Sequence, residues 1–131
     1  MPPDYPPLRL KGGGVLTRDM IPEANAGLAR LEVDLPALSA RDTESRLQFE
    51  NDLVEYIRRE GEDISRTDLR FLRSAMLNDR KCWIWEFTTR DGDRCYATVT
   101  IEGRSQTLGY DADWDGLSPE QFLVSEYFEC R

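Results

Sequence analysis

The chain of 131 residues has no histidine, three cysteines and, as lysines, only Lys11 and Lys81. Without histidine there is no Ser-His-Asp triad, no Cys-His dyad, no His-ligated zinc and no imidazole acid–base chemistry. Cys82, Cys95 and Cys130 are odd in number and show no C-x-x-C spacing. In a chain long enough to bury its own core, that usage reads as reduced thiols of an intracellular protein. No apolar run approaches the length of a membrane span. The Pro-rich opening Met1–Leu10 lacks a basic segment followed by an apolar one, so no signal peptide is expected and the expected location is the cytoplasm.

Negative charge is in excess. The 25 acids outnumber the 17 bases, leaving a formal charge of −8. Phosphate contact dominates nucleic-acid affinity, so this balance argues against a duplex-binding surface. It favours a basic protein partner. The charge is uneven: residues 42–63 and 111–129 are acidic, and residues 66–81 are basic. With 40% hydrophobic residues the chain can bury a core, and its length fits one domain.

Residues 1–14 hold four prolines and end in Gly12-Gly13-Gly14. This predicts a flexible arm ahead of a single globular domain over 15–131. No Gly-Lys-Ser/Thr follows the glycines, so they do not form a phosphate loop. Ala29, Leu31, Val33 and Leu35 alternate with polar residues, the pattern of a half-buried strand, and Pro36 ends it. Leu28, Leu31, Leu35 and Leu38 also fit helical spacing. The spacing of Phe49, Leu53, Tyr56 and Ile57 predicts a helix over 43–60, capped by Thr43 and stopped at Gly61. A second helix is expected over 65–78, with Leu69, Leu72 and Met76 inward. On it Arg66, Arg70 and Arg73 would form a cationic ridge.

Residues 82–89 and 94–102 are rich in aromatic and β-branched residues, and Asp91-Gly92 lies between them. A two-residue type I′ turn there predicts a hairpin. Its register pairs Phe87 with Tyr96, Trp85 with Thr98 and Trp83 with Thr100. Cys82 and Cys95 then lie about 20 Å apart along the strands, too far for a disulfide. Gly103-Arg104 marks a further turn into a strand over 105–110, with Leu108 beside Val99. Ser118-Pro119-Glu120-Gln121 is a capping box opening a last helix. The expected fold class is α+β: a small antiparallel meander of three to four strands, two helices before it and one after.

Four features could carry chemistry. Trp83, Trp85, Phe87 and Tyr96 share one hairpin face in this register and would offer a partner-binding or base- and sugar-stacking surface. Both sheet faces look apolar, yet a two-layer domain covers one, which suggests an interface with another protein or a second copy of the chain. Arg66, Arg70 and Arg73 would suit an anion or an acidic partner. Asp111, Asp113 and Asp115 before Gly116 match the opening of a calcium loop, although Phe122 occupies the position of the bidentate glutamate. Glu86, mid-strand among aliphatic residues, requires an arginine partner or a raised pKa. Cys130 lacks a histidine to activate it.

The reading that follows is a small, acidic, non-enzymatic protein-binding module. It would act on a basic partner as inhibitors, immunity proteins or secretion chaperones do. The alternative is a calcium-binding protein or metal-dependent enzyme built on the Asp111/Asp113/Asp115 loop.

Overall fold

A computed structural model describes residues 6–21, 28–39, 41, 45–113 and 116–128. Thr43 and Glu44 at the expected first cap, and Trp114, Asp115 and Cys130, lie outside these. The architecture is α+β. Strands β1 (Leu8–Arg9) and β2 (Val15–Leu16) form a short hairpin. Helix α1 spans Arg46–Arg59. Strands β3 (Arg70–Leu77), β4 (Arg80–Thr88), β5 (Arg94–Glu102) and β6 (Ser105–Ala112) form an antiparallel sheet in the order β3-β4-β5-β6. Helix α2 follows over Pro119–Tyr127.

The β4–β5 turn decides how this sheet is filled. Gly92 N–H donates to Thr89 O at 3.0 Å and Thr89 N–H to Asp93 O at 2.9 Å, with Gly92 at φ 90°. That is a three-residue loop, Arg90-Asp91-Gly92, closed by a glycine bulge, and not the expected two-residue turn. The register is consequently displaced by one: Phe87 pairs with Cys95, Trp85 with Ala97 and Trp83 with Val99. Since side chains alternate across a strand, one step moves a residue to the other face. Tyr96 therefore leaves the tryptophan face and joins Cys82 and Ile84 on the opposite one. Cys82 and Cys95 also fall on opposite faces, both buried free thiols.

Each face has its own cover. On the first, α1 presents Phe49, Leu53 and Ile57 to Trp83, Trp85, Phe87 and Val99. Phe49 and Trp83 pack with ring centroids 4.7 Å apart, and Trp85 Nε1 donates to the buried Glu50 carboxylate at 2.8 Å. On the second, α2 and the N-terminal segments cover Ala75, Leu77, Ile84 and Tyr96. The sheet is thus the middle of three layers, and the apolar character of both faces is core. The expected exposed aromatic surface does not form: Trp83, Trp85, Phe87 and Tyr96 are 2%, 0%, 3% and 0% exposed.

Residues 70–77, expected as the end of a helix, are strand β3. Leu69, Leu72 and Met76 imitate a helical stripe, but Leu72 packs on the α2 face and the other two on the α1 face. A bulge between Phe71 and Arg73 shifts the alternation and produces that imitation. The Ser65 cap exists only as a single 3-10 turn over Arg66–Asp68, where Asp68 accepts from Ser65 N–H at 2.7 Å. Asn78, in the left-handed region at φ 55°, makes the β3–β4 turn.

Residues 29–35 keep the expected alternation of burial, but no strand forms there. The chain instead wraps over the edge of β3. Leu35 is buried on the α2 face and Leu38 on the α1 face. Between them Pro36 O accepts from Met76 N–H at 2.8 Å, and Leu38 N–H donates to Ser74 Oγ at 3.2 Å. From residue 6 the expected arm is also part of the core. Leu8 is fully buried, Tyr127 Oη donates to Pro6 O at 2.9 Å, and Asn78 Nδ2 donates to Pro7 O at 3.1 Å. The capping box of α2 is as the sequence implies: Ser118 Oγ accepts from Gln121 N–H at 3.2 Å and Gln121 Oε1 from Ser118 N–H at 2.8 Å.

Leu8→Ala should destabilise the chain by about 2–5 kcal/mol in urea unfolding, the usual result for a buried leucine. A mobile arm would give no measurable change.

Candidate functional site

The expected arginine ridge is dispersed. Arg66 lies in the 3-10 turn before β3. Arg70, at the start of β3, pairs with Glu86 at 3.0 Å. The β3 bulge turns Arg73 toward α2, where it is half-buried. It donates to Glu120 Oε1 at 2.7 Å, to Leu35 O at 2.7 Å and to Ser74 O at 3.0 Å. Arg73 therefore ties β3 to α2 and to the N-terminal wrap, and its donors are spent on the fold.

Glu86 finds the arginine partners its position requires. It lies between Arg70 and Arg94, at 3.0 Å from each. Arg94 also donates to Tyr96 Oη at 2.9 Å, with its guanidinium 5.0 Å over the Tyr96 ring. Tyr96 Oη in turn donates to Leu117 O at 2.6 Å. Burial, which outweighs the opposing effect of Arg94, raises the Tyr96 pKa. These contacts fasten the loop after β6 to the sheet.

Asp113 belongs to the same fastening. Its carboxylate accepts from Leu117 N–H at 2.9 Å and lies 3.6 Å from Arg94. The side chain is 4% exposed. Asp111 instead accepts from Ala112 N–H at 2.8 Å and stays at the surface. The structure thus gives Asp111 and Asp113 separate local partners. The expected third ligand, Asp115, lies outside the described residues. Among the described residues no three His, Cys, Asp or Glu side chains converge on one point.

Among the described residues, two of the surface concavities are bordered by a buried thiol. One lies between β5–β6 and α2, with a volume of about 650 Å³ and a floor of Thr100, Thr107 and Cys82. Burial pushes the Cys82 thiol up to about 11, partly offset by Thr100, whose Oγ1 is 3.7 Å away. A thiol so raised is protonated at neutral pH and is a poor nucleophile. The other is a depression of about 420 Å³ where α1 ends beside the last residues of β6. Glu60, Glu62, Asp93 and Asp111 line it, together with Tyr56 and Tyr110, and no basic residue among the described ones does.

Two side chains at this depression respond to burial and, after it, to the surrounding acids. Burial first, then Glu62, Asp93 and Asp111, push the Cys95 thiol up to about 11. Burial, then Glu62 and Glu60, raise the Tyr110 pKa. Glu60 is moreover the C-cap of α1, where the helix dipole disfavours an acid. The bases of the last turn face elsewhere: Arg58 donates to Ile64 O at 2.7 Å and Arg59 pairs with Glu55 at 2.6 Å. The acidity of residues 42–63 and 111–129 pointed to Glu60, Glu62 and Asp111, but not to Asp93 beside the β4–β5 loop. Sequence spacing could not show that both segments meet at one strand end.

The Arg73–Glu120 pair yields a pH-dependent prediction. Burial raises the Glu120 pKa, but hydrogen bonds from Arg73 and from backbone outweigh it and hold the carboxyl below its ordinary value. Stability from this pair is therefore full above the ordinary carboxylate range and is lost as pH falls through the lowered pKa. A double-mutant cycle of Arg73→Ala and Glu120→Ala should give a coupling of about 1 kcal/mol at neutral pH. The coupling should shrink toward zero in strong acid; one that ignores pH contradicts the assignment.

No family model, no curated protein and no solved structure matches this chain.

Proposed function

We propose that the chain is a non-enzymatic protein-binding module of the cytoplasm that offers its acidic depression to a basic protein partner. The observation that carries this reading is the set of Glu60, Glu62, Asp93 and Asp111 around one concavity without a base among them. Four like charges around one hollow make a local negative potential that attracts a cationic partner. Tyr56 and Tyr110, packed edge to face at 6.0 Å, line the same hollow as the charges. Aromatic rings beside carboxylates are the composition of a binding spot for arginine or lysine side chains.

The remaining surface favours binding over catalysis. Cys82 and Cys95 are both raised to about 11, so neither is a poised nucleophile. Histidine is absent. Glu86 is neutralised by two arginines. A role in masking the basic surface of an enzyme, or in holding a basic polypeptide, needs none of these groups to react.

Affinity capture from native-cell extract should retain a basic protein, and Glu60→Lys/Glu62→Lys should lose it. Charge reversal at two such positions should weaken binding roughly 10- to 100-fold, mostly through association rate, and added salt should weaken the wild type in the same direction. Retention unaffected by both the substitutions and salt contradicts the proposal.

A further inference from the structure

The two edges of the sheet are treated differently. β3 carries Arg70 and Arg73, is bulged, and is covered along its outer side by residues 35–38 through the bonds to Met76 and Ser74. These are the usual protections of an edge strand. β6 is eight residues long, regular in register throughout, and pairs with β5 alone among the described residues. It has no proline, lysine or arginine.

The pattern of its free groups follows from the β5 pairing. Asp113 N–H donates to Arg94 O at 2.9 Å, so residues of the same parity (105, 107, 109 and 111) bond to β5. The backbone groups of Gln106, Leu108 and Tyr110 then point outward from the sheet. The next outward N–H, that of Ala112, is taken by the Asp111 carboxylate at 2.8 Å. The open edge is thus bounded to three residues with Leu108 at the centre.

We propose that β6 pairs antiparallel with β6 of a second copy, about a two-fold axis at Leu108, to give a continuous sheet through both chains. With Leu108 opposite itself, Gln106 faces Tyr110 of the second copy, and all three outward residues exchange both backbone bonds. A register moved two residues along the strand either leaves one of the three without an outward-facing strand partner or calls on the Ala112 N–H already used. The chosen register sets small beside small, Thr107 against Gly109. It also places like charges apart: Asp111 faces Ser105 of the second copy. Arg104 of the second copy, exposed in the β5–β6 turn, comes opposite Ala112 and beside Asp111. This charge match occurs twice by symmetry and selects a second copy over an unrelated strand. Asp111, which also lines the acidic depression, is then shared with Arg104 of the second copy.

Sedimentation velocity on the full chain across the micromolar range should show a concentration-dependent species of twice 15.1 kDa. Gln106→Pro removes one outward donor at a site where an edge strand accepts proline. It should raise the dimer dissociation constant at least tenfold, with an unchanged circular dichroism spectrum. Arg104→Glu should weaken the dimer several-fold, and Arg104→Glu/Asp111→Arg should restore part of it. A chain that stays monomeric throughout, a dimer indifferent to Gln106→Pro, or a charge swap that restores nothing overturns the proposal.

Discussion

The fold depends on the length of the loop between β4 and β5. Three residues closed by Gly92 set Trp83, Trp85 and Phe87 against Cys95, Ala97 and Val99. Two residues would set them against tyrosine and threonines. Small partners leave room for the indoles, and the room is filled by Phe49, Leu53 and Ile57 of α1. On the opposite side the same step delivers Tyr96 to Phe122 of α2, with ring centroids 4.9 Å apart, and its hydroxyl to Leu117 O. One glycine in a conformation that other residues resist therefore assigns every large side chain of the hairpin to its layer.

Covering both faces and one edge requires chain that is not itself sheet. The N-terminal residues do this with little regular structure: Leu8, Leu28 and Leu35 are buried, and they are joined to the sheet by backbone bonds at residues 36 and 76. Asn78 binds both Pro7 O and Tyr127 Oη, so one turn residue holds the N-terminal hairpin and α2 together. Arg73 does the same midway along β3 through Leu35 and Glu120. These polar ties position the last helix, and the loop preceding it, relative to β6. In that way packing on the α2 face determines where the acids after β6 stand.

Much of this was readable from the residues. The α1 stripe, the glycine stop at Gly61, the Val99–Leu108 pairing and the Ser118 capping box all follow from local chemistry, which acts within a few residues. The failures share a different cause. Whether Asp91-Gly92 closes as two residues or three is a choice between turns of similar propensity, and distant packing decides it. Leu69, Leu72 and Met76 read as a helix because a bulge, invisible in composition, shifts strand alternation toward helical spacing. The Pro/Gly-rich start reads as mobile because its partners, Asn78 and Tyr127, are about 70 and 120 residues away. For the site, net acidity was legible by segment. That Glu60, Glu62, Asp93 and Asp111 share a hollow depends on helix α1 ending above the end of β6, a long-range fact.

The register is open to direct measurement by nuclear Overhauser contacts between α-protons. In the three-residue loop, Ile84/Thr98 and Glu86/Tyr96 are pairs not bonded to each other through backbone, where opposing α-carbons approach to about 4.5 Å. Strong α-proton contacts within both pairs are the result this account predicts. Contacts linking Trp85 with Thr98 and Phe87 with Tyr96 would contradict it, returning Tyr96 to the tryptophan face and undoing both layers.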